Sequence, residues 1–292
     1  MTENVKVAVE PRQLPRELTA LGIKQGYEPR PAKRLRLYLT GPYGSGKTTF
    51  ISSIPNTLIL DFQDGATGVP GCKANRVNLK GYDHYMQVTD YLITHPGLYD
   101  RIVIDPADEW VDILMLQLNK EKDVENITEF GSQGHGWFLI RSRGWNRLRE
   151  LENAGYSWIC VDHLREKTVN DPSSGKERTV LRPAIFQSMA YQLIGQAEIY
   201  ATIYQVTETK QVMTTLTLPS GKTVETPKKG EVESTTTYYL DCQTTPGKEG
   251  KTRGVPHMKT KIEIPMVGGW AKFEEEYNKA IQIQIAEIEN YK

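Results

Sequence analysis

The pattern of apolar and polar residues along the first two-thirds of the chain predicts a mostly parallel β-sheet flanked by helices. Short apolar runs of strand length alternate with segments whose apolar residues recur at helical spacing. Strands are predicted at residues 35–40, 57–62, 101–105, 156–161 and 199–206. Helices are predicted at residues 48–54, 83–94, 106–120, 137–151 and 184–194. The predicted fold class is therefore α/β.

From about residue 208 the pattern changes to an alternation of apolar and polar residues, which predicts β-hairpins. Strand segments at 212–218, 235–240 and 259–265 are separated by polar segments at 226–233 and 244–253, which we interpret as loose linkers. A closing helix with apolar residues at spacing of about four is predicted at 270–289. The chain is thus predicted to have three parts: an N-terminal arm (1–34), a core (35–206) and a β-rich extension ending in a helix (207–292).

Composition narrows the function classes. The 292 residues include 36 basic and 36 acidic side chains, so nucleic-acid binding would need a local basic patch rather than a global field. Cys72, Cys160 and Cys242 are far apart and show no metal-ligand spacing, which favours a reducing compartment. No apolar run approaches a membrane span of about 20 residues, and no apolar signal-peptide core is present. These features predict a cytoplasmic protein without a membrane partner.

One stretch carries specific chemistry. Residues 41–48 read Gly-Pro-Tyr-Gly-Ser-Gly-Lys-Thr and fit the phosphate-binding pattern G-x-x-x-x-G-K-[ST] at every fixed position. A predicted strand precedes the stretch and a predicted helix follows it, so backbone N–H groups would converge on phosphates. We predict that the loop binds a nucleoside triphosphate through Gly41, Pro42, Tyr43, Gly44, Ser45, Gly46, Lys47, Thr48 and Thr49.

Within this loop, Lys47 would reach the β and γ phosphates, and the Thr48 hydroxyl would ligate Mg²⁺. Asp105 ends an apolar strand, which is the form of a Walker B strand whose acid holds the same metal ion. Glu109 lies one turn into the next helix, and we interpret it as an exposed acid rather than a nucleotide-facing one. His135, in a glycine-rich loop, has no assigned role.

Polar residues also end the strand at 156–161, where Asp162 and His163 follow. A γ-phosphate sensor would lie at such a place, and so would the ordinary end of a strand; this pattern alone leaves both open. Residues 165–182 then carry a modest excess of basic side chains around a predicted turn at 171–175. The alternative is that this segment is a solvent-exposed hairpin or loop without a specific function.

The order of these features resembles the RecA-like core, and in particular the phage nucleotide-binding proteins of that class, a family linked to single-strand annealing and recombination. The resemblance spans roughly residues 35–205 and rests on the stretches 41–50, 58–65, 99–110, 155–167 and 181–204. It implies an ATPase that uses ATP and Mg²⁺ and acts on single-stranded DNA. It further implies a homo-oligomer, a single-strand-binding protein as partner, and the host bacterial cytoplasm as location.

The resemblance also implies roles for individual residues. His163 matches the γ-phosphate-sensing side chain, which would report the state of the nucleotide to a DNA-contacting loop. The phosphate contacts of that loop, which would be sensitive to salt and indifferent to base sequence, fall on Lys167, Lys176, Arg178 and Arg182.

One position departs from the family pattern. RecA-like enzymes usually carry a glutamate two residues after the acid that ends the second strand, and this chain has Gln63 there. A glutamine orients water but does not accept a proton as a carboxylate does; the adjacent Asp64 is a substitute. Hydrolysis is therefore open, and any turnover is predicted to be slow. The candidate catalytic residues are Lys47, Gln63, Asp64, Asp105 and His163.

Three alternatives remain at this point. In the first, ATP is a ligand that orders an oligomer on DNA and is not hydrolysed. In the second, the protein is a small-molecule phosphotransferase whose arginine-bearing lid is formed by residues 165–182. In the third, the same core serves a partner-dependent packaging or helicase motor.

Overall fold

The computed structural model describes residues 26, 28–65, 68–69, 71–132, 134–170, 176–217, 220–243 and 250–290. For five strand residues it describes the backbone alone: Arg178, Leu216, Pro227, Lys229 and Gly230. The chain divides into two units, Met1–Arg30 and Pro31–Lys292. The predicted arm at 1–34 lies mostly outside the described residues, and the elements that follow belong to the second unit.

The described residues contain ten strands in one sheet. Its order is β10-β8-β7-β1-β5-β4-β2-β3, while β6 pairs with β5 and β9 pairs with β7. From β7 to β3 the strands of this path are parallel, which confirms the predicted α/β fold class with a mostly parallel sheet. The strands are β1 (Leu37–Gly41), β2 (Thr57–Asp61), β3 (Asn75–Asn78), β4 (Arg101–Asp105), β5 (Ser157–Asn170), β6 (Glu177–Pro183), β7 (Ile199–Thr217), β8 (Thr223–Asp241), β9 (Lys251–Thr252) and β10 (Lys261–Ile264).

Helices cover both faces of this sheet. In the part of the chain that the structure describes, no helix is long and apolar enough to cross a membrane. Short 3₁₀ turns lie at Ala32–Arg34 and Ile127–Glu129. The α-helices are α1 (Lys47–Ser52), α2 (Tyr82–Thr94), α3 (Ala107–Lys122), α4 (His135–Asn153), α5 (Gln187–Gln196) and α6 (Gly269–Asn290).

Two apolar layers hold the sheet between its helices. Alternate residues of one strand point to opposite faces, and both faces are buried here. On β5, Trp158 belongs to the layer formed with α2, α3, α4 and α5. Its neighbour Ile159 belongs to the layer formed with α1 and α6, where Trp270 and Phe273 are also buried. Burial on both faces explains why the central strands are continuous apolar runs.

The β-rich extension continues the same sheet. β7 and β8 form a long antiparallel ribbon that pairs from Thr202 and Asp241 out to Thr217 and Thr223. The predicted boundary after residue 206 falls inside β7. The linker predicted at 226–233 is wrong, because these residues lie in β8, where Thr226, Pro227, Val232 and Glu233 are register partners of β7 residues. Of the linker predicted at 244–253, residues 244–249 lie outside the described part, and Lys251–Thr252 forms β9.

Candidate functional site

Polar side chains meet at the edge of the sheet where the parallel strands end. Asp61 and Asp105 are register partners at the ends of β2 and β4. Gly41 and His163 are register partners on β1 and β5. The carboxyl ends of parallel strands are where open α/β sheets bind ligands, so residues from the ends of β1, β2, β4 and β5 share one edge.

The loop at 41–48 joins β1 to α1 and has the backbone conformation that its glycines require. Gly44 (φ 73°) and Gly46 (φ 91°) lie in the left-handed region, which favours glycine. A Cβ atom at Gly41 would lie 2.5 Å from the carbonyl oxygen of Ile203. Glycine at position 41 therefore allows the loop to pack closely against β7.

Lys47 is buried at the start of α1. Its Nζ donates hydrogen bonds of 2.8 Å to the carbonyl oxygens of Gly41 and Pro42. Burial lowers the pKa of Lys47 to about 8, against the opposing influence of the Asp105 carboxylate. Hydrogen bonds between charged partners are stronger than those to neutral carbonyls, so an anionic oxygen would be a better acceptor for this ammonium than either carbonyl.

Thr48 and Asp105 form a direct contact across the edge. Thr48 Oγ1 donates to Asp105 Oδ2 at 3.0 Å. Burial raises the pKa of Asp105 to about 6, while the bond from Thr48 acts to lower it. No group of three or more His, Cys, Asp or Glu side chains in the described residues forms a metal cage. Mg²⁺ needs only one or two carboxylates plus water and phosphate oxygens, and the pair fits that requirement.

An unsatisfied hydroxyl supports phosphate binding at the loop. Ser45 Oγ is buried and has no hydrogen-bond partner among the residues that the structure describes. A buried polar group without a partner costs about 1–3 kcal/mol, and a phosphate oxygen beside it would remove that cost. Ser45, the Lys47 ammonium and the Thr48–Asp105 pair thus fit a Mg²⁺-bound triphosphate.

His163 lies between this loop and the hairpin formed by β5 and β6. The Tyr43 ring stacks on the His163 ring, with centroids 4.0 Å apart. His163 Nδ1 lies 3.2 Å from both carboxylate oxygens of Asp108, and Arg165 Nη2 lies 3.5 Å from Asp108 Oδ2. Burial acts to raise the pKa of Asp108, but His163 and Arg165 together lower it below its ordinary value. The four side chains form a continuous chain of contacts from the loop to the hairpin.

Gln63 contacts Glu109, which the sequence predicts to be an exposed acid. Gln63 Nε2 donates to Glu109 Oε1 at 2.8 Å, and Glu109 is half-buried rather than a free surface acid. The backbone N–H groups of Gln63 and Gly65 both donate to Asp61 Oδ1 at 3.1 Å, which holds the loop after β2. Asp64, the predicted substitute, is exposed in a left-handed backbone conformation (φ 57°).

The predicted DNA-contacting residues lie on or next to the β5–β6 hairpin, and most of them share one of its faces. Arg165 is the register partner of Arg182, and Lys167 is the partner of Val180. Register partners share a face and successive residues alternate, so Arg165, Lys167 and Arg182 share one face. The register gives Arg178 the same face, although its side chain is outside the described part. Lys176, just before β6, is exposed.

The positions of three side chains at this edge were not predicted from the sequence. Asp108 was not predicted to be a site residue, and Glu109 was predicted to be an exposed acid. Acids in the first turn of a helix are common, and their spacing in the sequence does not show which groups they contact. Asp162 was noted only as a polar strand end. It is buried, accepts a 2.6 Å hydrogen bond from Tyr38, and has a pKa raised to about 6 by burial. His135 begins α4 beside Phe130.

Comparison with known proteins places the chain in a family. No curated protein matches it. Among solved structures, a KaiC-like protein from the hyperthermophilic archaeon Pyrococcus horikoshii shows 13% identity and a TM-score of 0.39 over 80% of this chain and 87% of that chain. A family model described as AAA domain matches residues 33–254, more than half of the chain. The chain therefore belongs to the AAA domain family designated AAA_24 and contains a P-loop ATPase domain of the AAA type.

Proposed function

We propose that the protein is an ATPase that binds single-stranded DNA in a manner controlled by its bound nucleotide. The observation that carries this proposal is the chain of contacts from Tyr43 through His163 and Asp108 to Arg165. It connects the phosphate-binding loop to the basic face of the β5–β6 hairpin. A role in recombination or annealing, with a homo-oligomer as the working form, follows from the resemblance to phage RecA-like proteins.

ATP would be held by the 41–48 loop, with its phosphates beside Lys47 and Ser45. Mg²⁺ would be held by Thr48 and Asp105, and it would neutralise charge that develops on the phosphate oxygens. Phosphoryl transfer to water depends mainly on positioning and electrostatics. The residues of this chain supply both through the buried ammonium of Lys47 and the fixed Thr48–Asp105 contact.

Hydrolysis also needs a group that accepts the proton of the attacking water, and we assign that role to Glu109. The Gln63 amide cannot accept this proton, but it donates a 2.8 Å hydrogen bond to the Glu109 carboxylate. Because that bond occupies one oxygen of the carboxylate and fixes its orientation, the other oxygen has lone pairs for a water molecule. In this scheme Gln63 positions the base rather than replacing it.

DNA phosphates would bind to the face of the hairpin that carries Arg165, Lys167 and Arg182. Within the paired segments 164–170 and 177–183, the acids Glu166 and Glu177 occupy the opposite face according to the register. A local patch of this kind supplies the attraction that a chain of zero net charge otherwise lacks.

The test is a titration of labelled oligodeoxythymidine with the protein in Mg²⁺ plus ATP, in Mg²⁺ plus ADP, and without nucleotide. We expect tighter binding with ATP than with ADP and an affinity that falls as salt rises. Lys167→Gln should reduce the salt slope by about 0.7, the value for one phosphate contact on a single strand. Lys120→Gln, an exposed lysine on α3, is the matched control. Equal affinity in all three nucleotide states would contradict the proposal.

A non-hydrolysing ATP-binding module is the second candidate, favoured by Gln63 at the position where a glutamate is expected. Phosphate release measured with and without single-stranded DNA separates the two candidates. Tight ATP binding without release above background would select the module. Transfer of phosphate to an added nucleotide, together with no DNA binding at low salt, would instead select a phosphotransferase.

A further inference from the structure

A cavity of about 450 Å³ lies between the β5–β6 hairpin and α5. Its volume falls within the range of about 300–1,000 Å³ that is usual for small-ligand sites. Arg165, Lys167 and Arg182, the cations that share a face of the hairpin, line it together with the acid Glu166. The basic face therefore borders a partly open cavity as well as bulk solvent.

The opposite wall of the cavity is apolar and aromatic. Phe186 and Tyr191 line it, with the buried residues Ala190 and Ile185 between them. The Phe186 ring packs against Trp137 at a centroid distance of 5.0 Å. These contacts give the cavity a firm apolar floor beneath its cationic side.

Tyr191 is unusual in this wall because its side chain is 53% exposed. Its hydroxyl accepts a 2.7 Å hydrogen bond from Gln187 Nε2, one turn earlier on α5. An exposed ring that is held in this way offers a flat surface for stacking at a low cost in side-chain entropy.

We propose that this cavity binds an unpaired nucleobase, which stacks on Tyr191 while the flanking phosphates contact the cations of the hairpin. Aromatic surfaces next to a positively charged groove are the combination that binds single strands. A base paired within a duplex is stacked on its neighbours and would first have to leave the helix. The proposal rests on the proposed function and adds to it the reason for preferring single strands.

The cavity is also connected to the nucleotide site. Arg165 lines the cavity and lies 3.5 Å from Asp108, which in turn contacts His163. A change in the position of His163 that altered the Asp108–Arg165 pair would move a wall of the cavity. Base binding and nucleotide binding would then be coupled, each changing the affinity for the other by the same factor.

The experiment compares two oligonucleotides of equal length, oligodeoxythymidine and an abasic strand with the same phosphates, in Mg²⁺ and ATP. We expect wild-type protein to bind the base-bearing strand about 5- to 150-fold more tightly, the equivalent of stacking one base on an aromatic ring. Tyr191→Ala should remove most of this preference and leave the salt slope unchanged. Tyr191→Phe, which keeps the ring, should retain the preference.

Tyr91→Ala is the matched control, because Tyr91 is an exposed tyrosine on α2 with a 57% exposed side chain; it should behave as wild type. Circular dichroism verifies that each variant is folded. A strand containing 2-aminopurine gives an independent signal, since its fluorescence should be quenched on wild-type protein and not on Tyr191→Ala. Equal binding of the two strands by wild type would overturn the base site and leave phosphate binding intact. Binding of neither strand at low salt would instead overturn the proposed function.

Discussion

Because we assign Glu109 as the proton acceptor, we expect Glu109→Gln to slow ATP hydrolysis. The substituted side chain keeps an oxygen that accepts the 2.8 Å hydrogen bond from Gln63 Nε2. Its position at the edge of the sheet should therefore be preserved, while its ability to take a proton from water is lost. The variant separates the chemical role of the carboxylate from its structural role.

The expected magnitude follows from that separation. General-base catalysis contributes about 10²–10⁴-fold to a rate, which corresponds to about 3–5 kcal/mol of barrier. Glu109→Gln should lower the rate of phosphate release by this factor and change the affinity for ATP by less than about threefold, because no phosphate-binding group is altered. Gln63→Ala removes one orienting hydrogen bond worth about 1 kcal/mol, so it should lower the rate only about fivefold.

The assay combines single-turnover phosphate release with an equilibrium measurement of ATP binding. Asp112→Asn is the matched control, because it removes one negative charge from α3 three residues further along, at an exposed position. The ATP-bound Glu109→Gln protein should also hold single-stranded DNA for longer than wild type does. Turnover by Glu109→Gln within threefold of wild type would refute the assignment, as would a wild-type protein that releases no phosphate.

Three further predictions concern the surrounding charges. Asp108→Asn should weaken the contact with Arg165 and reduce the ratio of DNA affinities in ATP and ADP by about tenfold (about 1.4 kcal/mol); an unchanged ratio would contradict the proposed path. Burial raises the pKa of Asp162 to about 6, so the folded state binds more protons than the unfolded state, and the contribution of Asp162 to the free energy of unfolding should fall by about 2–3 kcal/mol as the pH rises from about 4 to above 6. Asp162→Asn should flatten that part of the curve in urea unfolding, and equal slopes for variant and wild type would count against it. Glu198→Gln should cost about 3 kcal/mol in the same measurement, because it removes the main negative charge beside the partly buried Arg36 guanidinium; a loss below about 1 kcal/mol would show that the pair contributes little.

The parallel part of the fold was predictable because its signals are local. Each central strand is buried on both faces and is therefore a continuous apolar run in the sequence, as on β4 and β5. The β7–β8 ribbon was only partly predictable. The segment at 226–233 reads Thr-Pro-Lys-Lys-Gly-Glu-Val-Glu and resembles a linker in composition, but it lies in a strand because β7 is beside it to pair with. Pairing between segments distant in the chain leaves no such local trace.

In the candidate site, too, some features could be predicted from the sequence and others could not. By itself the sequence determined the phosphate-binding loop, because a phosphate cradle needs left-handed glycines and a lysine at fixed spacing within eight consecutive residues, and it marked Asp105 as the end of an apolar strand. Only the tertiary structure decided which side chains face that loop. Strand register brings His163 beside Gly41, and the start of α3 turns Asp108 toward His163 and Glu109 toward Gln63. The Gln63–Glu109 and Asp108–His163 contacts join positions 46 and 55 residues apart in the chain. The sequence around each partner carries no signal of the other, because distance in space is set by the packing of the whole sheet.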